Sequence, residues 1–348
     1  MRTIYDLSFK DMEEMLLANG QKAYRAKQLY SWLYKKRVSS FDEMTDLPTA
    51  LIEKLREDYS LMPLREVRRQ VARDLTTKYL FEMQDGSSVE AVLMHFHFGD
   101  SLCVSSQVGC NMGCTFCASG LLKKQRDLTA GEMTAQVLYV QKLLDEDGKR
   151  VDNIVVMGTG EPFDNYENVM RFCATVNSDH GLAIGARHIT ISTCGIVPKI
   201  DEFAKGRYQY NLAVSLHAPD DELRASLMPV DKAYPLDQLM ASLVAYSVEN
   251  HRRLTFEYIL LHDVNDTDEH ARKLADLIRG MNAYVNLIPY NQVDENGYKS
   301  TDERRALRFY DVLMKNGVKA TLRSRHGEDI DAACGQLRAK HERNKGEQ

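Results

Sequence analysis

Three cysteines in one short loop are the residues of this chain best suited to chemistry. Cys110, Cys114 and Cys117 are spaced C-x-x-x-C-x-x-C and follow a stretch of mixed apolar and polar residues at 101–107. Iron–sulfur clusters are ordinarily held by four thiolates. Three close thiolates can bind three irons of a cubane and leave the fourth iron open to a small molecule. A structural zinc site would want a fourth ligand nearby, and the nearest histidines, His95 and His97, lie upstream without a pairing pattern. A zinc knuckle or chance clustering is the plainer alternative, to be decided by structural context. Cys103, seven residues before the loop, and Cys334, near the C-terminal end, stand apart. Each alone reads as a small buried hydrophobe, as do Cys173 on a helix face and Cys194 at a strand end.

The elements that must position this loop alternate regularly. Strands are expected at 102–105, 154–157, 188–192, 212–217, 254–261 and 284–289, with helices at 129–144, 165–176, 197–204, 235–250, 268–279 and 302–316. Six β-then-α units imply a parallel sheet with right-handed crossovers. Six rather than eight units predict an incomplete barrel, open on one side to a large substrate. Chemistry in such barrels gathers at the C-terminal ends of strands. The cysteine loop falls there, as do the turn Gly158-Thr159-Gly160-Glu161-Pro162, Ser192, Ser215, His217 and Asn291. Taken singly, these are ordinary caps, strand ends or a satisfied core histidine; their coincidence is what marks a site.

Ahead of the barrel, three helices are expected. Ser8 caps the first, which uses Phe9, Met12 and Leu16 and stops at Gly20. The second, over 23–38, is expected to bury Leu29, Trp32 and Leu33, and the third begins near Pro48 with Leu51, Ile52 and Leu55. From Val67 the pattern has period two, and Asp85-Gly86 turns a hairpin between 78–83 and 89–95. The expected organisation is therefore a helical domain at 1–62, a β-meander at 63–99, the barrel at 100–325 and a C-terminal segment at 326–348 that carries Cys334.

The 348 residues are 44% hydrophobic and 27% charged, ordinary values for a globular protein. No apolar run approaches the roughly 18 residues a membrane span needs, and the N-terminus has no secretory pattern. Seven cysteines, three of them in one loop, argue against a secreted disulfide framework and for a reducing cytoplasm. A net charge of −5 does not advertise a nucleic-acid binder. Basic residues nevertheless cluster at Lys35, Lys36 and Arg37, at Arg65, Arg68 and Arg69, at Lys123, Lys124 and Arg126, and at Arg323 and Arg325. Each cluster alone reads as a solvated surface.

The cysteine spacing, with Phe116 before the last cysteine, resembles the signature of the radical S-adenosylmethionine (SAM) enzymes, whose open iron chelates the amino and carboxylate groups of SAM. Together with Cys103-Val-Ser-Ser-Gln-Val-Gly-Cys110, Met157-Gly-Thr-Gly-Glu-Pro162, Ser215-Leu-His-Ala-Pro219 and Asp331-Ala-Ala-Cys334-Gly-Gln-Leu337, it resembles the radical-SAM rRNA adenine methyltransferases over essentially the whole chain. The resemblance is strongest to the C2-methylating group, which acts on an adenosine in the peptidyl-transferase loop of 23S rRNA and, in some bacteria, on the adenosine beside the tRNA anticodon. A related group methylates C8 of the same rRNA adenosine and confers antibiotic resistance. Val108 and Pro162 stand where those relatives tend to carry cysteine and alanine.

The resemblance implies a [4Fe-4S] cluster on Cys110, Cys114 and Cys117, two SAM molecules per turnover, a monomer, and an electron donor such as flavodoxin or ferredoxin. One SAM methylates Cys334. The 5′-deoxyadenosyl radical from the second abstracts hydrogen from that methyl group, and the resulting methylene radical adds to C2. Glu90 then takes the C2 proton, and Cys103 releases the RNA by forming a disulfide with Cys334. Gly160, Glu161, Ser192, Ser215, Leu216, His217 and Asn291 match SAM contacts, and Met157 a methionine beside the reactive cysteines. Thr159 departs from relatives that carry methionine there. By its own sequence surroundings Glu90 reads as an exposed strand carboxylate. The N-terminal domain and basic clusters would be the RNA handle. A redox-inert iron–sulfur or zinc protein that binds RNA without catalysis is the alternative of a different class, and it gives Cys103 and Cys334 no use.

Overall fold

Ten strands form one sheet whose spatial order is the order of the chain. The structure, a computed structural model, describes residues 2–121, 123–292, 296–323, 329–330, 336–338 and 341. Strands β1 (Leu64–Val71), β2 (Thr77–Met83) and β3 (Ser88–Phe96) form an antiparallel meander. Strand β4 (Gly99–Cys103) is the switch, antiparallel to β3 and parallel to β5 (Val151–Val156). Parallel pairing continues through β6 (Ile189–Thr193), β7 (Asn211–Ser215), β8 (Leu254–Leu260), β9 (Ala283–Pro289) and β10 (Ala320–Leu322). Among the described residues the edge strands β1 and β10 do not pair with each other. The expected open barrel of six β/α units is thus present, and β10 adds a seventh parallel strand. With three residues, β10 is too short to show a period in sequence.

The N-terminal region folds as α1 (Phe9–Ala18), α2 (Arg25–Tyr30) and α3 (Thr49–Asp58) around Met12, Leu16, Leu29, Leu33, Leu51 and Leu55. Ser8 and Asp11 cap α1 reciprocally, each side chain accepting from the other's backbone N–H, at 3.1 and 3.0 Å. The helix expected over 23–38 instead widens into a π-turn at Ser31–Lys35. Trp32 packs against the edge of the N-terminal core but is only partly buried: its Nε1–H donates to Asp46 at 2.5 Å, and Lys36 lies over its ring.

The connecting helices are α4 (Ala130–Asp145), α5 (Tyr166–Asn177), α6 (Val197–Lys205), α7 (Asp221–Leu227), α8 (Leu236–Asn250), α9 (Asp268–Leu277) and α10 (Glu303–Lys315). Helix α7 was not expected from sequence. The N-terminal region is tied to α4 and α5. Asp6 Oδ1 accepts from Gly131 N–H at 2.8 Å, Arg37 pairs with Asp145, Leu138 enters the N-terminal core, and Phe9 stacks on His180. Gly131 is required by that approach, since a Cβ there would lie 2.4 Å from Thr3 Cγ2 and 2.7 Å from the Asp6 nitrogen.

Successive strand residues point to opposite faces, and here the faces differ in kind. On β8, Leu254, Phe256, Tyr258 and Leu260 are fully buried in the core beneath the helices, each contributing about 1.5–3 kcal/mol if buried like a typical large apolar side chain. Leu212 and Val214 of β7 and Val285 and Leu287 of β9 join them. The alternate positions, facing the concavity, are Thr255, Glu257 and Ile259 on β8, Ala213 and Ser215 on β7, and Asn286 and Ile288 on β9. Strands in a parallel sheet covered on both faces ordinarily read as continuous apolar runs. Polar residues on this one face therefore mark the interior as a site.

Candidate active site

The cysteine loop is clasped at its base by a two-residue antiparallel pairing of Gln107–Val108 with Arg126–Asp127. Its middle is held from α7, where the Leu227 carbonyl accepts from Thr115 N–H at 2.9 Å. Phe116 sits edge-on to the His217 ring, with centroids 4.9 Å apart. Cys110, Cys114 and Cys117 open onto a cavity of about 310 Å³ at the C-terminal ends of the strands. Its lining also includes Met157, Gly160, Glu161, Ser192, Ser215, His217 and Asn291. Residues separated by up to 181 positions thus meet at one site.

The donor set suits an iron–sulfur cluster. Burial pushes the Cys110 thiol up to about 11, against a Met112 backbone hydrogen bond and with Cys117 and Glu161 adding to the rise. Burial likewise pushes Cys114 up, reinforced by Cys117 and Cys110. Thiols so disfavoured as anions, Cys110 and Cys114, are stabilised as thiolates by a cationic centre. Among the described residues, no three His, Cys, Asp or Glu side chains converge as a single metal ion requires. A cluster, whose ligands bind different irons, does not need that convergence.

The turn after β5 fits closely against the chain beside it. Thr159 O accepts from the backbone N–H groups of Ser106 and Gln107, at 2.9 and 3.1 Å. Gly160 has φ +111°, and a Cβ there would lie 2.6 Å from Gln107 Cβ. Glu161 is buried, its two oxygens accepting from Phe163 N–H at 3.0 Å and Cys194 N–H at 2.8 Å. Burial raises its carboxyl above the usual range, while those bonds oppose the rise.

His217 adopts the left-handed region at φ +59°, uncommon outside glycine. Its Nδ1 accepts from Ile259 N–H at 3.1 Å, which leaves Nε2 as the donor. Burial, aided by Arg224, lowers its pKa to about 3. Leu216 differs from its neighbours: its side chain is in the hydrophobic core, it is not among the cavity-lining residues, and its backbone is engaged, the N–H with the Glu257 carbonyl and the carbonyl with Ala218 and Arg224.

Sequence reasoning missed Arg224. This fully buried residue of α7 pairs with Asp231 at 2.7 Å and donates to the carbonyls of Cys194 (2.7 Å), Leu216 (3.3 Å) and Ser215 (3.4 Å). It thereby fixes the chain ends that follow β6 and β7. The available signal was Asp220 followed by two acids, an N-cap and acidic first turn in a stretch otherwise read as loop.

Glu90 and Cys103 lie off this cavity's lining, on the meander side of the same concave face. Cys103 is opposite Val92 and Val155, which places Glu90 and Met157 on its face of the sheet, each two residues along. Glu90 is not the exposed carboxylate its local sequence suggests. It is 3% exposed, paired with fully buried Lys78 at 2.9 Å, and accepts from Arg338 N–H at 2.6 Å. Cys334 lies outside the described residues.

Several basic clusters prove to be engaged in ion pairs. Arg65 pairs with Glu82, Arg69 with Glu66, Lys124 with Asp127 and Asp164, and Arg126 with Asp85 and Glu132. Arg325 lies outside the described residues. No helix among the described residues is long and apolar enough to cross a membrane.

An open parallel barrel with a three-cysteine loop after its first parallel strand defines a radical SAM enzyme, and the Radical SAM superfamily model matches residues 104–276. The Ribosomal RNA large subunit methyltransferase N-terminal domain model matches residues 3–61. The chain belongs to the RlmN family of radical SAM RNA methyltransferases. It is 55% identical to the Enterococcus faecalis "Probable dual-specificity RNA methyltransferase RlmN", over 97% of this chain and 96% of that protein. The Streptococcus agalactiae protein of the same name is also 55% identical, over 97% and 93%. The crystal structure of a radical SAM methyltransferase from Sphaerobacter thermophilus matches with TM-score 0.93 at 44% identity, over 97% of this chain and 99% of that one.

Proposed function

We propose that this protein methylates C2 of an adenosine in the peptidyl-transferase loop of 23S rRNA, and the adenosine next to the tRNA anticodon, using an S-methylcysteine at Cys334. The observation that carries this reading is the likeness over almost the whole chain to relatives named dual-specificity RNA methyltransferases. Cys110, Cys114 and Cys117 would hold the [4Fe-4S] cluster, and Gly160, Glu161, Ser192, Ser215, His217 and Asn291 would hold SAM. Cluster and SAM together supply a carbon radical able to abstract hydrogen, with an electron from a donor such as flavodoxin or ferredoxin.

The protein's own residues do the rest. The Cys334 thiolate carries the methyl carbon as a thioether, and that carbon forms the new bond to adenine C2. Glu90, held between Lys78 and the Arg338 N–H, accepts the C2 proton. Cys103 attacks the Cys334 sulfur. An S–S bond forms and the S–C bond to the RNA adduct breaks, its electron pair going to the methylene carbon, which takes up a proton as the methylated base leaves. The odd electron of the radical adduct would pass back to the cluster. Thiol exchange with an external dithiol, which is oxidised in turn, restores both cysteines. The shared face of Glu90, Cys103 and Met157 supports this division of labour. A base in folded RNA must be unstacked to enter such a site, and the N-terminal helical region is our choice for the RNA handle.

The test is nucleoside mass spectrometry after anaerobic incubation of the cluster-loaded protein with SAM, a reductant and unmodified 23S rRNA. We expect 2-methyladenosine. An 8-methyladenosine product would move the protein to the resistance group, and 5′-deoxyadenosine without a methylated base would refute the RNA substrate. Cys103→Ala is expected to leave RNA covalently attached to the protein, visible as a shifted band; an adduct-free variant with intact cluster and SAM cleavage would sink the release step.

A further inference from the structure

Glu257 is a buried acid in the cavity to which neither the family resemblance nor the comparisons assign a task. It lies on β8, 4% exposed, opposite Ser215 of β7 and Asn286 of β9, and its side chain lines the cavity. Oε1 accepts from Asn286 Nδ2 at 2.9 Å. Oε2 is fully buried and has no hydrogen-bond partner. A buried polar atom left unmatched is costly and calls for an explanation. Here the explanation is a ligand donor that the cavity is built to receive.

The chemistry of that donor follows from position. The cysteine loop arches over to the ends of β7 and β9, where Phe116 meets His217 and the Tyr290 hydroxyl, so a ligand anchored at the loop lies across the strand ends above Glu257. Beyond Glu257 the lining turns apolar, with Ile259, Ile288 and Pro289, a surface suited to the face of a flat base. In SAM the ribose lies between the amino-acid end and the base. An acid one step deeper in the cavity than that apolar surface can meet the part of an adenosyl group next to the base, which carries two neighbouring hydroxyls. Carboxylates recognise ribose hydroxyls in other nucleotide sites by accepting from them. A neutral O–H donor also suits an acid whose ionisation burial opposes.

We propose that Glu257 is a ribose-binding residue: Oε2 accepts a hydrogen bond from a hydroxyl of the adenosyl diol, while Asn286 fixes the carboxyl through Oε1. This rests on the reading of the cavity as the SAM site.

The experiment is equilibrium binding to anaerobic, cluster-loaded protein, comparing SAM with analogues that lack the 2′-hydroxyl, the 3′-hydroxyl or the 6-amino group. Wild-type protein is expected to bind one deoxy analogue about tenfold more weakly than SAM, the scale of one hydrogen bond to a charged or buried group. Glu257→Ala is expected to bind SAM about tenfold more weakly and to lose that discrimination. Glu257→Gln, which keeps the shape and the Asn286 contact, retains at most a small part of it; equal iron content and melting temperature guard against misfolding. If wild type binds SAM but discriminates the diol no better than the variants do, the ribose assignment is overturned while the SAM site stands. Discrimination that moves instead to the 6-amino analogue also overturns it. No SAM binding by wild type overturns both readings.

Discussion

Two buried acids on one face of one sheet have opposite circumstances. At the meander end, Glu90 has both oxygens engaged by the protein itself, one by Lys78 and one by the Arg338 N–H. At the parallel end, Glu257 has one oxygen engaged by Asn286 and the other unmatched. Before any substrate enters, the hydrogen bonds of the first acid are satisfied within the fold, whereas those of the second are completed by something that enters. Burial alone therefore does not identify a binding residue; the state of its hydrogen bonds does.

The contrast is most strongly tested by making the same substitution at both ends. Glu90→Gln breaks a buried pair and is expected to cost about 3 kcal/mol, the low end for removing one partner of such a pair. Combining it with Lys78→Met should recover most of that loss in urea unfolding, because the uncompensated ammonium goes too. A Glu90→Gln protein as stable as wild type would erase the distinction. Next in size, Gly160→Ala, in the turn between the two ends, should cost about 2 kcal/mol through its positive φ and the Gln107 approach. It should also weaken SAM binding.

The smallest effect has the opposite sign. Burial raises the Glu257 pKa above its usual 4.5, outweighing the opposing charge of Arg323 and the Asn286 hydrogen bond. The folded state then keeps a proton that the unfolded chain releases, so this acid's stabilising contribution is present below pH 4.5 and lost as pH rises above it. Without SAM, Glu257→Gln is therefore expected to be more stable than wild type at pH 7.5, with the gain vanishing towards pH 4.5. Melting curves across that range decide it; a gain that does not vary with pH would refute the cause.

Most of the barrel was legible because its strands and helices carry strong periods and begin at evident caps, such as Thr129 and Thr267. The cysteine loop was legible for the different reason that its spacing is chemical. What stayed hidden depends on partners distant in sequence. Glu90 looked exposed because nothing local announces that Lys78 will face it across β2 and β3. Trp32 looked apolar because the turn that exposes it is a backbone irregularity. Arg224 and Glu257 were invisible because each takes its meaning from neighbouring strands that only tertiary structure supplies, and β10 because three residues carry no period.

The seam between the N-terminal region and the barrel has a mechanical consequence. Asp6 is bonded to the start of α4 where Gly131 leaves no spare volume, and Arg37 is paired at the far end of the same helix. Anchored at both ends of one helix, the two parts resist swivelling. If the first part grips RNA as proposed, that RNA must then do the bending needed to present its base to the second. Discrimination among RNAs would be set by how readily each one deforms, and a stiff stem of the correct sequence would be refused.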